Sequence, residues 1–452
     1  MKIHPVLSFG FSVVMLLTSG FVSHAQGIIT SIAGNGISQY IGDGWPATNY
    51  SLAIPNGLCL DKTGQVYIAD YYDHRIRKVD INDTLSTIAG GATPGHTGDN
   101  GPAINATFRN PNGICFDTSG NLYISEEYNN DVRKIDKVTG NISTICGTGT
   151  GTYSGDGVPA SVASLQQPAG ICADRAGNIY IADYGNLRIR KIDAVLSHIS
   201  TVAGNGTNGF TGDHGPATGA ELSYPKGVCV DTSGNLYIAD YGSNTIRRVD
   251  ALTGIITTVA GTGIAGYTGD NGPAVTATLR QPNSVFISSQ GNLYISDYGN
   301  NVVRAVTPEG YIFTVAGNGS YGFTGDGGPA TDATFKGPTG VYVDDMEYLF
   351  IADGQNSVIR KVSPKPLGVS SVIKDNGFNV FPNPSLGKFI VQTGNSYQGA
   401  TLVMYNTLGQ VIYKAVLNES RNTVDAGGQP PGIYYINVTS GLGSQTERII
   451  LR

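Results

Sequence analysis

Two residue types that form strong ion pairs recur at one spacing along this chain. An acidic residue stands at Asp70, Glu126, Asp183, Asp240, Asp297 and Asp353, and an arginine follows seven positions later each time, at Arg77, Arg133, Arg190, Arg247, Arg304 and Arg360. With a turn midway between them, a carboxylate and a guanidinium at this spacing face each other across an antiparallel hairpin and can pair. Such a set is either a ring of charged ligands or a clasp that closes each hairpin. A group present in every copy serves the copy, so these residues read as structural ion pairs, each worth about 0.2–1 kcal/mol if partly exposed.

A second repeated carboxylate lies in a glycine-rich Gly-Asp motif, at Asp43, Asp99, Asp156, Asp213, Asp270 and Asp326. Calcium takes aspartate and carbonyl oxygens but needs about six to eight of them, and each loop offers one reliable carboxylate. These aspartates therefore read as turn formers. A phosphate cradle is poorly supported, because no Gly-Lys-Ser/Thr and no long helix follow.

Function sits where the copies differ. One variable position follows a proline: Asn56, Asn112, Ala169, Lys226, Asn283 and Thr339. Another follows the repeated acid: Tyr71, Glu127, Tyr184, Tyr241, Tyr298 and Gly354. Amides, a hydroxyl and an ammonium can hydrogen-bond a polar ligand, and tyrosines offer apolar area with a polar tip for sugar rings or a protein partner. The candidate ligand-binding residues are thus Tyr71, Tyr184, Tyr241, Tyr298, Asn56, Asn112, Lys226 and Asn283. The alternatives are a solvated channel rim and tyrosines packed on their own turns. The six histidines, His4, His24, His74, His96, His198 and His214, share no repeat position and no metal spacing. No nucleophile motif stands out. The expectation is no catalytic residue, no metal and no cofactor.

The elements that must hold these residues repeat strictly. The anchors Ala33, Ala89, Cys146, Ala203, Ala260 and Ala316 fall 56 or 57 residues apart, a period close to one four-stranded propeller blade. The fourth unit shows the plan: Pro225–Asp231, Asn235–Asp240, Thr245–Asp250 and Ile255–Gly261, rich in Val, Ile and Tyr and bounded by Gly or Asn. A fourth-strand motif already stands at Ile28–Gly34, and the last unit ends near Ser363 after three strands. The N-terminal strand is therefore expected to complete the last blade, closing a ring of six and removing an exposed sheet edge. The connection from each fourth strand to the next first strand carries the Gly-Asp motif and emerges on the same face as the repeated acids.

The 452 residues have a formal net charge of −6 and contain 63 glycines, a balance without the basic footprint of a nucleic-acid binder. Residues 1–25 read as a signal peptide: Lys2 precedes an apolar run at Val6–Val22, and Ser23 and Ala25 precede a cut before Gln26. That run is short and interrupted for a membrane anchor, and no later stretch is long enough to span. Of five cysteines, Cys59, Cys115, Cys172 and Cys229 share one repeat slot that Phe286 and Tyr342 fill elsewhere, which reads as packing and not as a disulfide framework.

The pattern Pro-x-Gly-Val/Ile, then Asp-x-x-Gly-Asn-Leu-Tyr-Ile-Ala-Asp, then Ile-Arg-Lys-Val-Asp resembles the NHL repeat, over about residues 26–366. Two copies depart from it, with Ser288 and Glu347 at its aspartate and glycine. After a linker at 364–371, the remainder shows strands at Lys388–Gln392, Thr401–Tyr405, Val411–Val416, Ile433–Val438 and Glu447–Leu451, as in a small antiparallel sandwich. Its Asn383-Pro384, Asn406-x-x-Gly409-Gln410-Val411-Ile412 and Pro431-Gly432-Ile433-Tyr434-Tyr435-Ile436 resemble the type A C-terminal sorting domain of the type IX secretion system. That resemblance implies export across the outer membrane of a Gram-negative cell through the secretion machinery, with release or surface attachment.

The expected chain is all-β: signal peptide 1–25, six-bladed propeller 26–363, linker 364–371 and sorting β-sandwich 372–452. The expected function is a secreted or cell-surface scaffold binding glycan, peptide or protein, with no nucleic-acid partner and no transmembrane span in the mature chain. The alternative is a secreted propeller lyase or hydrolase acting at the central channel mouth. For residues 372–452 the second possibility is an adhesive domain in place of an export signal.

Overall fold

The computed structural model describes residues 27–364 except 92, and 378–451 except 382–384, 386, 394–398, 407–408 and 441–442. The predicted signal peptide, and the predicted linker beyond Pro364, lie outside the described residues.

Six antiparallel sheets share one plan. In the third, Pro168–Ala173, Ile179–Asp183, Arg188–Ile192 and Ile199–Ala203 pair in chain order. Local chemistry punctuates each strand. Asp174 accepts the backbone N–H groups of Ala176 and Asn178, and Gly177 closes that turn at φ +88°. Glu347 takes the glycine's place in the sixth copy at φ 63°, a conformation that costs a residue with a side chain, and its carboxylate accepts the Tyr294 hydroxyl at 3.1 Å.

The sixth sheet is completed from the other end of the chain. Ile29–Ala33 pairs antiparallel with Val358–Val362, after Leu349–Asp353 and Pro338–Val343. The first strands of successive sheets abut. An alanine in place of Gly113 would put its Cβ 2.6 Å from the Ala169 carbonyl oxygen, and one in place of Gly170 would sit 2.6 Å from that of Lys226. Gly340 lies equally hard against Asn56, on the first sheet. The Thr339 hydroxyl donates to the Pro55 carbonyl at 3.0 Å, and the Ser296 hydroxyl to the Thr339 carbonyl at 2.7 Å. Hydrophobic cores fill the gaps between neighbouring sheets. One joins Ala182 and Ile189 of the third sheet to Val228, Ile238 and Val249 of the fourth.

The repeated arginines are fully buried, which changes the energetics expected of partly exposed pairs. The hairpin register also differs from the sequence expectation. Asp183 stands opposite Arg188, and Arg190 opposite Ile181, because the turn at Tyr184–Asn186 with Leu187 in the left-handed region is tighter than assumed. The arginine therefore reaches its acid diagonally, at distances from 3.2 Å (Arg77–Asp70) to 3.9 Å (Arg247–Asp240 and Arg360–Asp353).

Its shorter ion pair is with the Gly-Asp carboxylate. Arg77 meets Asp43 at 2.6 Å, Arg190 meets Asp156 at 3.0 Å and Arg304 meets Asp270 at 2.5 Å. The turn-former reading of these aspartates was therefore incomplete. Arg133 and Arg360 also donate to two carbonyls at opposite ends of the inserted loop, Thr97 with Thr107 and Thr324 with Thr334. Each second-strand acid in turn accepts a backbone N–H from the residue 17 positions earlier, as at Gln166 to Asp183, 2.8 Å.

From residue 378 onward, two further sheets form a sandwich: Phe378–Phe381 with Lys388–Thr393 and Arg421–Asp425, and Val411–Leu417 with Ala400–Asn406, Gly432–Ser440 and Gly443–Leu451. Phe378–Phe381 and Arg421–Asp425 are strands beyond those expected. Phe389, Val391, Leu402, Met404, Ile436 and Val438 meet in its core.

Removing a buried guanidinium leaves two carboxylates facing each other, so Arg190→Met should destabilise the fold by about 3–5 kcal/mol. Urea denaturation measures this; an unchanged midpoint would contradict the clasp. Burial pushes the carboxyls of Asp70 and Asp240 up to about 7, and those of Asp183, Asp297 and Asp353 up to about 6, against the pull of their arginines and N–H donors. These folded values exceed the unfolded value of about 3.9, so the folded chain holds extra protons between pH ~4 and ~7. The stability they supply is full at the acid end of that window and is lost as pH rises through the folded values. The melting temperature should be higher at pH 5 than at pH 8 by differential scanning calorimetry, and a steady rise over that range would refute the assignment.

Candidate functional site

The first strands of the six sheets line a cavity of about 280 Å³. Along each strand the residue after the proline sits toward one end, and the shared slot of Cys59, Cys115, Cys172, Cys229, Phe286 and Tyr342 lies deeper in the same lining. The thiols are unpaired, and burial raises the pKa of each of these four. Phe286 and Tyr342 pack with ring centroids 4.5 Å apart.

The two variable positions meet at the proline end of this cavity. Asn112 donates to Glu127 Oε2 at 2.7 Å, and the Tyr71 hydroxyl donates to the same oxygen at 3.0 Å. The Lys226 ammonium lies 6.0 Å from the Tyr184 ring centroid and 5.0 Å from that of Tyr241. Tyr241 and Tyr298 follow at 6.5 Å, and Gln355 donates to the Tyr298 hydroxyl at 2.7 Å. Glu127 thus stands beside Asn112, and Tyr184 and Tyr241 flank Lys226, so residues of the two variable positions rim the mouth together.

Of the residues expected to bind, Tyr71, Tyr184, Tyr241 and Tyr298 are half-buried, and Asn112 and Asn283 are buried in the lining. Asn56 and Lys226 are partly exposed there. Glu127 was not among them. The signal for it was present, a carboxylate where four copies have tyrosine, but its contact with Asn112 joins residues 15 apart and depends on the fold.

The electrostatics follow from burial. Burial lowers the pKa of Lys226, and the Glu127 carboxylate partly offsets this. Burial and then Glu127 raise the Tyr71 and Tyr184 phenols, so both are neutral donors at neutral pH. Among the described residues no cluster of three or more His, Cys, Asp or Glu side chains could hold a metal ion. Trp45 lies away from this rim on the first inserted loop and is 68% exposed.

Residues 379–452 match the secretion system C-terminal sorting domain. Residues 52–79 and 165–192 match the NHL repeat, and 204–267 the teneurin NHL domain. SUPPRESSOR OF QUENCHING 1, chloroplastic, of Arabidopsis thaliana is 30% identical over 50% of this chain and 22% of its own length. Human teneurin-1 is 26% identical over 93% of this chain and 17% of its own length. The chain thus spans less than a quarter of either relative. An auxiliary nutrient binding protein from Bacteroides thetaiotaomicron superposes with a TM-score of 0.55 at 19% identity, over 74% of this chain and 76% of that one. A protein of the same description from Bacteroides ovatus gives 0.56 at 18%, over 75% and 76%. At this identity the likeness concerns the fold. The chain carries NHL repeats in a β-propeller, followed by a type IX secretion sorting domain, which implies export to the outer surface or release. No helix among the described residues is long and apolar enough to cross a membrane.

Proposed function

We propose that this chain is an exported binding module: a six-bladed propeller over residues 26–363, closed by its N-terminal strand, that takes a glycan, peptide or protein ligand at the mouth of its axial cavity. Residues 372–452 direct export through the secretion machinery. The observation that carries the binding role is the rim itself. Equivalent clasps hold six corresponding positions, and selected side chains there are tyrosines with one ammonium and one carboxylate. Tyrosine supplies apolar contact area with a polar tip at little entropic cost, a composition suited to recognition. The auxiliary nutrient binding described for the Bacteroides neighbours agrees with it.

Glycan and peptide arrays probed with the full exported chain test this reading. Tyr184→Ala and Tyr241→Ala should each weaken a bound ligand by about tenfold or more, as loss of a central aromatic anchor does. Binding that survives both changes would place the site elsewhere. Removing 372–452 should leave the propeller inside the cell envelope, which fractionation reads.

Closure rests on one seam. The Ser31 backbone N–H donates to Asp326 at 3.0 Å, and Asp326 in turn pairs with Arg360. Ser31→Pro removes that donor and should cost about 1.5–3 kcal/mol by urea denaturation, the range for a hydrogen bond to a charged group. An unchanged midpoint would mean the N-terminal strand is dispensable.

A further inference from the structure

The rim holds one cation and one anion that do not pair. Among the described residues the Lys226 ammonium has no carboxylate at ion-pair distance and no hydrogen-bond acceptor; only the faces of Tyr184 and Tyr241 flank it. Glu127 has no cation bound either. Its Oε2 accepts from Tyr71 and Asn112, which fixes the direction of the carboxylate without neutralising it. The Glu127 carboxylate is near enough for the Lys226 ammonium to feel it. Lys226 belongs to the fourth sheet and Glu127 to the second, so the third sheet stands between them. There the first-strand position is Ala169, where its neighbours carry Asn112 and Lys226, and Tyr184 stands beside the gap.

An opposed pair of this kind selects by charge pattern. A ligand carrying only a carboxylate gains Lys226 but is repelled by Glu127, and a ligand carrying only an ammonium meets the reverse. A ligand with both groups satisfies both residues, and partial burial makes each contact stronger than it is in water. From this juxtaposition of Glu127, Ala169, Tyr184 and Lys226, we propose that the mouth recognises a dipolar ligand, a free amino acid or short peptide. Its carboxylate lies on Lys226, its ammonium on Glu127 and its side chain against the tyrosine faces. The inference rests on the binding role proposed above and narrows its ligand class.

Calorimetric titration of the full exported chain with glycyl-tyrosine tests it, alongside the N-acetyl and C-amide forms and galacturonic acid as an acidic sugar. The free dipeptide should bind, and each cap should weaken it by about thirtyfold or more, the lower end of the range for truncating one partner of a buried charge pair. Lys226→Met should abolish discrimination against the amide while preserving it against the acetyl form, and Glu127→Gln should do the converse. Circular dichroism establishes that both variants are folded, and Lys226→Arg should retain binding if either does not fold. Equal binding of free and capped dipeptide, or tighter binding of galacturonic acid, would overturn the dipolar assignment and leave the rim as a binding site. Failure of the dipeptides, the sugar and every array ligand to bind would remove both readings.

Discussion

The structure depends on a guanidinium held out of contact with water and shared between a buried carboxylate and a partly exposed one. Burying one arginine costs several kcal/mol unless its donors are met and its charge is answered. Here the second-strand acid and the inserted-loop aspartate answer the charge, and loop carbonyls take further donors in the best-satisfied copies. The group thereby ties the hairpin of the second and third strands to both ends of the loop before the first strand, 26 to 36 residues away. The loop aspartate extends the tie to the fourth strand through a backbone N–H, as at Thr144 to Asp99 and Thr258 to Asp213. One cation thus organises a whole sheet.

That tie sets the geometry of the mouth. Tyr71, Glu127, Tyr184, Tyr241 and Tyr298 each follow directly on a clasped acid, so the backbone that presents them is held in place whatever the side chain is. The variable ring inherits its position from the invariant one. A repeat built this way can change its ligand by substituting one residue per sheet, with the clasp, the core and the loops undisturbed. The second sheet shows how far the surroundings tolerate change. His96 stands where other copies place an aromatic residue beside the arginine, and it pairs with the buried Asp131 at 2.9 Å.

Much of the fold was legible because its determinants are local. The four strands of each unit and the turns at Asp-x-x-Gly come from residues within a few positions of one another, and strand ends fell within a residue or two of those expected in the fourth unit. The register of the hairpin was not legible. It turns on whether four or six residues form the turn, and Leu187 at positive φ gives no signal of the tighter choice. The strands Phe378–Phe381 and Arg421–Asp425 were missed because each is short and gains its pairing from Lys388–Thr393 between them. The inserted-loop aspartates were recognised as a repeated set but not as ion partners, since Asp156 and Arg190 are 34 residues apart.

The sequence alone determined the repeat, the kind of strand, the position of each acid and arginine and the sorting domain at the end. These follow from side-chain type at fixed spacing, and spacing survives without a fold. Only the tertiary structure decided which charges meet. It buried every repeated arginine and gave each a second carboxylate. It brought Glu127 to Asn112 and Tyr71, and it set Lys226 between two tyrosine faces with its charge unpaired. Electrostatic contacts depend on distance and burial, and both are settled only when neighbouring sheets pack.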